Sequence, residues 1–310
     1  MNAIPTASDK RKLFRRLMTD SKILVLPGVF DGYSTRLVEQ ADFPAAFITG
    51  SGISEAVMGW ADLGIMGFRE NLDACRHIAA CTNMALMGDA DTGYGNAVNV
   101  HFTIRGFEDA GLAGAMIEDQ VWPKRCGHMK GKEVISLAEG TEKIRAAAEA
   151  RRDPDFIIKS RTDTLATHGI EEVIKRLNAY AEAGADLLFA DALLSADEIR
   201  TVAKNVSKPL CVNMGFGIRK RSTTPLLSPR EMQDLGVAVA IYPRLLTSTA
   251  IQGMKNGLAV LRETMETGRI VERPELAVSF EELNALVGFD EVQAIERRFL
   301  TEEQLASKYR

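Results

Sequence analysis

Eight short apolar segments recur along this 310-residue chain, and they restrict its fold more than any other feature. They lie at residues 23–26, 45–49, 84–87, 115–117, 156–159, 187–189, 210–212 and 237–241. Continuous hydrophobicity, without alternation, is what strands covered on both faces require. Helical patterns separate most of the segments, for example at 99–110, 137–151, 170–183 and 196–205. Eight such units predict an α/β fold, the (α/β)8 TIM barrel, with a doubly wound open sheet as the alternative.

The chain contains no internal repeat, low-complexity tract or linker that would divide it. We therefore predict a single TIM-barrel domain over residues 1–310, with an N-terminal helix in 1–20, the barrel in 21–268 and a helical tail in 269–310. Ser8 is the candidate cap of the first helix. The long helical pattern at 246–265 and the apolar positions of the tail fit packing onto the barrel and, equally, contact between subunits.

The composition of the chain argues against several classes of function. The formal net charge is −4 and the isoelectric point is near 5.7, which argues against a surface for nucleic acid or anionic membrane. The four cysteines show neither metal-site spacing nor a disulfide framework. No apolar run approaches the ~20 residues of a membrane span, and the N-terminus lacks a secretory pattern. We expect a reduced, cytoplasmic protein that acts on a small molecule.

Polar residues end or follow six consecutive apolar runs, from the second to the seventh. They are Thr49, Gly50 and Ser51, then Asp89 and Asp91, Glu118, Arg161 and Asp163, Asp191, and Asn213. In a TIM barrel the active site lies at the C-terminal ends of the strands, so these side chains should meet at one rim. Turn formation would explain one such residue, but six strands in a row indicate a site. The segment 49–52 is expected to be a turn whose backbone N–H groups can hold a carboxylate or phosphate.

Asp89, Asp91 and Glu118 should form a carboxylate cluster at this rim. Like charges so close raise one another's pKa values, so a cation is expected among them. Oxygen ligands favour Mg²⁺ or Mn²⁺ over zinc, usually with several waters retained. Arg161 is then available to bind a substrate carboxylate through two hydrogen bonds. The alternative is that Arg161 forms a structural ion pair with Asp163 or Asp191.

The segment 114–131 concentrates the reactive groups of the chain. Beyond its apolar run lies a loop that carries Lys124, Arg125, Cys126 and His128. About twenty residues pass before a helical pattern resumes near Ala138, and loops this long in compact domains are usually functional or disordered. A solvated loop with an inert thiol is the alternative, and we favour a functional loop.

Four motifs occur at spacings that suit a barrel. They are D-A-D-T-G-Y-G at 89–95, E-D-Q at 118–120, K-R-C-G-H at 124–128 and S-R-T-D at 160–163. With them the chain resembles the isocitrate lyase/phosphoenolpyruvate mutase superfamily over about residues 26–243. The resemblance is greatest to the branch of 2-methylisocitrate lyases and petal-death-type 2-hydroxy-dicarboxylate lyases. K-R-C-G-H is similar to the gating loop of that lyase branch, whereas the mutase branch carries Asn and Ser there.

This resemblance implies a helix-swapped barrel that assembles as a dimer of dimers, hence a homotetramer. It also implies Mg²⁺ bound through Asp89, partly via water, with Asp62, Asp91 and Glu118 in support. The implied substrate-binding residues are Thr49, Gly50 and Ser51 for the 2-oxo acid portion, Arg161 and Asn213 for the carboxylates, and Asp191.

The resemblance further implies that Cys126 is the general acid/base, on a loop that closes over substrate. Lys124, Arg125 and His128 would favour the thiolate of Cys126. The expected reaction is Mg²⁺-dependent cleavage of the C2–C3 bond of an alkylated malate or methylisocitrate-like acid, to a 2-oxo acid and a carboxylate. The alternatives are an oxaloacetate decarboxylase or hydrolase, a phosphonopyruvate-type enzyme, and, less favoured, a barrel that only binds a dicarboxylate.

Three residues depart from the pattern of this branch. Thr49 stands where Ser is usual and Asp191 where Glu is usual. Phe47 replaces a Tyr of the 2-methylisocitrate lyases, which favours the petal-death-type group. The basic segment 219–221 is either a solvated loop, as short basic runs usually are, or it brings Arg219 or Arg221 to the distal carboxylate of a substrate larger than oxaloacetate.

Overall fold

The computed structural model describes residues 5–125 and 131–308 of the chain. Eight strands form one closed parallel barrel, in which each strand pairs with the next and the last pairs with the first. The strands are β1 (Leu24–Val29), β2 (Ala45–Ile48), β3 (Ala85–Asp89), β4 (Gly114–Glu118), β5 (Ile157–Thr162), β6 (Leu187–Ala190), β7 (Leu210–Asn213) and β8 (Val239–Tyr242). The TIM-barrel prediction is therefore confirmed, and the open-sheet alternative is wrong.

Every predicted apolar run coincides with a strand, but several strands continue past their run into polar residues. β3 ends at Asp89, β4 at Glu118 and β7 at Asn213. The parallel hydrogen-bond ladder joins backbone groups whatever the side chain is, so a polar residue at the rim does not end it. These site residues consequently lie on strands, which hold side chains more rigidly than loops do.

Helices follow the strands along the chain. In the described residues they are α1 (Ala7–Met18), α2 (Gly32–Gln40), α3 (Gly50–Val57), α4 (Phe68–Ala80), α5 (Ala97–Asp109), α6 (Leu137–Ala150), α7 (Leu165–Glu182), α8 (Ala196–Asn205), α9 (Pro229–Asp234), α10 (Leu245–Thr267), α11 (Phe280–Leu286), α12 (Phe289–Phe299) and α13 (Glu302–Lys308). Thr6, and not Ser8, caps α1, because Thr6 accepts a hydrogen bond from the backbone of Asp9 and the Asp9 carboxylate accepts one in return. Over the described ranges, every helix falls short of the combined length and hydropathy that a bilayer crossing requires.

Helix α1 covers the N-terminal end of the barrel. Phe14 and Met18 are buried in the same apolar cluster as the inward-facing strand residues. Lys10, Arg11 and Arg15 donate hydrogen bonds to backbone carbonyls that lie shortly before β3, β4 and β5, respectively. The apolar interior of the barrel is therefore closed at the end opposite the strand C-termini.

The chain forms two compact units, Met1–Ser248 and Thr249–Arg310. The first contains the barrel with α1–α9. The second contains most of α10 together with α11–α13. The predicted boundary between barrel and tail, at residues 268 and 269, stays a prediction, since α10 belongs in part to each unit.

Candidate active site

One pocket opens at the C-terminal ends of the strands. It is lined by Phe47, Thr49, Ser51, Asp62, Asp89, Met116, Lys124, Arg161, Phe189, Asp191, Asn213, Ile241, Pro243 and Arg244. Most of the residues predicted for metal and substrate binding thus meet in one place. Apolar side chains form its floor and charged side chains its walls, which is the usual composition of a small-molecule site.

The residues after β2 form the start of helix α3, where the sequence indicated a turn. Thr49 caps this helix, because its Oγ1 accepts a hydrogen bond from the Gly52 amide at 3.3 Å and lies 3.0 Å from Ser51 Oγ. The Gly50 amide donates to Asp89 Oδ2 at 3.3 Å, and a Cβ at Gly50 would come within 3.1 Å of that oxygen. The helix N-terminus therefore stabilises the Asp89 carboxylate, and glycine allows the close approach.

Lys124 lies among the acidic residues of the pocket. Its Nζ is 2.8 Å from Asp91 Oδ1 and also contacts Asp62, and all three side chains are buried. Burial raises the pKa of Asp91 to about 6, although Lys124 opposes that shift. Burial alone would lower the pKa of Lys124, but Asp91, Asp62 and Glu118 outweigh it and hold that pKa well above its usual value. In this structure Lys124 supplies the cation that the carboxylate cluster was expected to need.

The acidic side of the pocket suits Mg²⁺ bound largely through water. No three acidic, histidine or cysteine side chains within residues 5–125 and 131–308 lie close enough together to form a metal site by themselves. Burial raises the pKa of Glu118 well above its usual value, and its Oε1 is buried without a hydrogen-bond donor from the described residues. Mg²⁺ usually takes one or two carboxylates and keeps several waters, so Asp89 and the neighbouring carboxylates fit this ion.

Arg161 is held by three carboxylates, among them Asp163 and Asp191 as in the ion-pair alternative, and its binding of a substrate carboxylate stays a prediction. Its Nε and Nη2 donate to Asp163 at 2.8 and 2.9 Å, and it also lies 3.3 Å from Glu118 and 3.4 Å from Asp191. Burial opposes its charge, but Asp163 and Asp191 outweigh burial and raise the pKa of Arg161 well above its usual value. Arg161 nonetheless lines the pocket, so the structural ion pair fixes its orientation towards a ligand.

The two adjacent carboxylates at the end of β4, Glu118 and Asp119, have different surroundings. Glu118 faces Arg161 at the rim, as described above. Asp119 Oδ2 accepts hydrogen bonds from Thr162, Arg176 and Tyr180, at 2.7 to 3.0 Å. Successive side chains of a strand point to opposite faces, so Glu118 takes part in the site while Asp119 ties β4 to β5 and α7.

The base of the loop after β4 is closed by a short antiparallel pairing. The Ile135 amide donates to the Asp119 carbonyl, and the Val121 amide donates to the Glu133 carbonyl, both at 2.9 Å. Predicted residues Cys126 and His128 lie outside the described residues. Lys124, which precedes them, lines the pocket, so the loop leads from the pocket into this part of the chain.

One charged residue of the pocket and its ion-pair partner were missed by the sequence analysis. Arg244 lies just after β8, lines the pocket and forms an ion pair with Glu55 of α3. The rule that residues at strand ends carry function was applied only to strands two to seven, and its extension to strand eight would have found Arg244. Glu55 has no comparable signal, because it lies inside a helix.

The basic segment 219–221 contacts the pocket through one residue. Arg221 donates hydrogen bonds to the backbone carbonyl of Asn213 and, at 3.3 Å, to its side-chain oxygen. The same side-chain oxygen accepts a hydrogen bond from the Gly215 amide at 2.7 Å. Arg219 and Lys220 are exposed. Arg221 therefore orients Asn213, and the segment is not a solvated loop throughout.

Comparison with known proteins gives matches over most of the chain. The family described as phosphoenolpyruvate phosphomutase matches residues 14–262. The chain is 35% identical over 287 residues to 2,3-dimethylmalate lyase of Eubacterium barkeri, across 93% of this chain and 97% of that protein. It is 35% identical over 294 residues to the petal death protein of Dianthus caryophyllus, across 94% of this chain and 90% of that protein.

Solved structures resemble the fold closely. Oxaloacetate acetylhydrolase in complex with the inhibitor 3,3-difluorooxalacetate has a TM-score of 0.87 at 28% identity, over 94% of this chain and 98% of that chain. A phosphonopyruvate hydrolase complex with oxalate and Mg²⁺ has a TM-score of 0.83 at 28% identity, over 94% of this chain and 99% of that chain. Sequence and fold therefore lead to the same group of proteins.

Proposed function

Because the chain belongs to the phosphoenolpyruvate mutase/isocitrate lyase superfamily and is a lyase of the carbon–carbon-cleaving type, we propose that it cleaves a 2-hydroxy dicarboxylate with the help of Mg²⁺. The substrate would be an alkylated malate or a methylisocitrate-like acid. Its C2–C3 bond would break to give a 2-oxo acid and a carboxylate. The similarity to 2,3-dimethylmalate lyase over nearly the full length of both proteins supports this substrate class.

The observation that carries the proposal is that one pocket combines a group of carboxylates with two separated guanidinium groups. Asp62 and Asp89 line the pocket, and Asp91 is close enough to interact with both. Arg161 and Arg244 come from β5 and from the residues after β8, three strands apart around the rim. Two guanidinium groups separated in this way match the two carboxylates of a dicarboxylate.

Asp89 would hold Mg²⁺, with support from Asp62, Asp91 and Glu118. When bound, the ion supplies Lewis-acid stabilisation of negative charge on the C2 oxygen, which is typically worth several kcal/mol. The related phosphonopyruvate hydrolase structure, which contains oxalate and Mg²⁺, supports the choice of ion.

The residues of the chain would then bind, orient and exchange protons with the substrate. Thr49 and Ser51 hold the end that becomes the 2-oxo acid, while Arg161 and Asn213 hold the carboxylates. A carboxylate on the acidic side accepts the C2 hydroxyl proton, the C2–C3 bond breaks, and its electron pair moves to C3. Cys126 donates a proton to C3 and becomes a thiolate, and the proton taken up by the carboxylate returns to that thiolate through solvent before the next turnover.

The loop that carries Cys126 is proposed to close over the bound substrate. Closure excludes water while C3 carries the negative charge, which would otherwise be protonated by solvent. Lys124 and Arg125, with His128, would favour the thiolate that forms when Cys126 gives up its proton, so that the residue can cycle between thiol and thiolate at the working pH.

The test is to incubate the protein with Mg²⁺ and, separately, with 2-alkylmalates, methylisocitrate and oxaloacetate, and to identify products by NMR. We expect a 2-oxo acid and a carboxylate in equal amounts from at least one alkylated substrate. The Asp89→Asn variant is the control: any product that it still forms at the same rate would come from chemistry outside the pocket. Turnover of oxaloacetate alone, to oxalate and acetate, would favour the hydrolase alternative, which the similarity to oxaloacetate acetylhydrolase supports.

The contact between Arg221 and Asn213 leads to a prediction about substrate size. Removing a charge-assisted hydrogen bond should cost roughly 1.5–3 kcal/mol, so Arg221→Gln should lower kcat/KM about ten- to a hundredfold. The loss should be larger for a substrate with a distal carboxylate than for one truncated at that end. Arg219→Gln, in the exposed part of the same segment, should have little effect. Equal losses on both substrates would show that Arg221 acts only through the fold.

We also propose that the protein assembles as a homo-oligomer, a dimer of dimers. In a single chain, α10 exposes Ile251, Met254, Leu258, Leu261 and Met265. Their spacing of three and four residues places them in one stripe along the helix, which is typical of a helix that packs against another apolar surface. The superfamily arrangement, in which a helix packs on a neighbouring subunit, supports this role for the stripe.

Light scattering coupled to size exclusion should therefore give a mass near four times that of the chain. Leu258→Glu should shift the mass towards smaller species, because it places a charge in the middle of the stripe. Gln252→Glu, on the same helix but outside the stripe, is the matched control. A monomer in the unmodified protein would refute the assembly.

A further inference from the structure

Lys159 is a buried lysine in the middle of the barrel that none of the roles above uses. It lies on β5, two residues before Arg161 and on the same inward face. Its exposure is 0%, and its Nζ is buried without a hydrogen bond to an oxygen or nitrogen atom of the described residues; the thiol of Cys211 is the polar group close to it. Lysine is almost never fully buried unless it is paired, so this position needs an explanation.

The surroundings of Nζ place it under the pocket. It lies 4.8 Å from the centroid of the Phe47 ring and 4.6 Å from that of the Phe189 ring. Phe47 belongs to β2 and Phe189 to β6, which are opposite strands of the closed eight-stranded barrel. A group between residues from opposite strands lies near the barrel axis. Since both rings also line the pocket, the ammonium lies directly beneath its floor.

Stability alone does not account for Lys159. Its register neighbours on β4 and β6 are Met116 and Leu187, so an apolar side chain of similar length would suit the position. Burial of an ammonium carries a large desolvation cost, of which contacts with two aromatic faces and the Cys211 thiol return only part. Burial lowers the pKa of Lys159, while the nearby Cys211 and Asp89 oppose that shift and favour the charged form. We therefore expect Lys159 to lower the stability of the fold.

We propose that Lys159 is a specificity-determining residue, whose charge beneath the floor makes the pocket select ligands by their negative charge. It acts through space and through the two rings, without touching the ligand. The preferred ligand is a small carboxylic acid that carries two negative charges, either from the start or once it acquires the second charge in the site. A singly charged acid of similar size would bind less tightly. The choice of acids rests on the proposed function.

The expected change in ligand affinity follows from the electrostatics of a partly screened site. One unit charge acting over about 10 Å at an effective dielectric constant of roughly 25 to 50 changes affinity about three- to tenfold per unit of ligand charge. For a doubly charged ligand the factor is the square of the factor for a singly charged one. The pair is shielded from solvent, so added salt should weaken the effect less than it weakens surface attraction.

The experiment compares Lys159→Met with Leu187→Met, a matched control in the next strand that changes packing without changing charge. Binding of oxalate and of pyruvate is measured by calorimetry in the presence of Mg²⁺, and Tm is measured without ligand. In Lys159→Met we expect affinity for oxalate to fall about ten- to a hundredfold and affinity for pyruvate about three- to tenfold. Tm should rise, because the buried ammonium is gone. Leu187→Met should lower the affinities for oxalate and pyruvate by the same factor, or leave both unchanged.

Two outcomes would overturn the proposal. An equal loss for both acids would mean that Lys159 only positions Phe47 and Phe189. A lower Tm with unchanged binding would mean that it only stabilises the barrel. Failure of the proposed lyase function would look different, since turnover would be absent while the dependence of binding on charge remained.

Discussion

Removal of divalent metal should abolish turnover, and Mg²⁺ or Mn²⁺ should restore it. The reason is the charge on the acidic side of the pocket. Asp62, Asp89 and Asp91 lie within one buried region, in which Lys124 forms ion pairs with Asp62 and Asp91. A developing oxyanion next to these carboxylates would be repelled unless a further positive charge balanced it. Turnover measured after EDTA treatment, and again after each ion is added back, tests this directly.

The Asp89→Asn variant separates loss of the metal from loss of the fold. It should lower turnover at least ~10²-fold and weaken binding of Mn²⁺, followed by electron paramagnetic resonance, with little change in Tm. Asp234→Asn, on an exposed helix, serves as the matched control. Full activity of a metal-stripped preparation would contradict the metal requirement.

The second large effect concerns the thiol of Cys126. Replacement of Cys126 by Ser should lower kcat at least ~10²-fold, which is a typical contribution of a general acid. Substrate affinity should change much less, because Arg161, Asn213 and the metal hold the carboxylates. The measurement is a kcat and KM determination on the substrate found by NMR.

Cys81→Ser is the control for that variant. Cys81 is partly exposed and lies at the end of α4, outside the pocket, so its replacement should leave kcat unchanged. If kcat of Cys126→Ser also stayed unchanged, the proton donor would be another group, and the decarboxylase or hydrolase alternatives would gain support.

The barrel and the rim could be predicted from sequence because both depend on short-range patterns. An apolar run covered on both faces marks a strand, and a parallel barrel brings the strand C-termini to one end. Asp89, Arg161 and Asn213 were therefore placed correctly from their positions along the chain. Their proposed roles in binding remain predictions.

The partners of these residues could not be predicted in the same way. The three carboxylates around Arg161 and the position of Lys124 among Asp62 and Asp91 depend on side-chain geometry between elements distant in sequence. In the sequence analysis Lys159 was only the last residue of the predicted apolar run 156–159. The strand continues to Thr162, and the residue is in the interior.

The seal formed by α1 has a consequence for how the barrel exchanges with solvent. With Phe14 and Met18 closing one end, the interior formed by the described residues opens towards the pocket at the other. A bound ligand then isolates the whole axis of the barrel from water, including the ammonium of Lys159. A chain shortened by its first helix would instead be open at both ends, and water entering from below would screen the charge that selects the ligand. The N-terminal helix lies far from any reacting atom, yet by excluding water from the barrel interior it would keep the dielectric constant beneath the active site low.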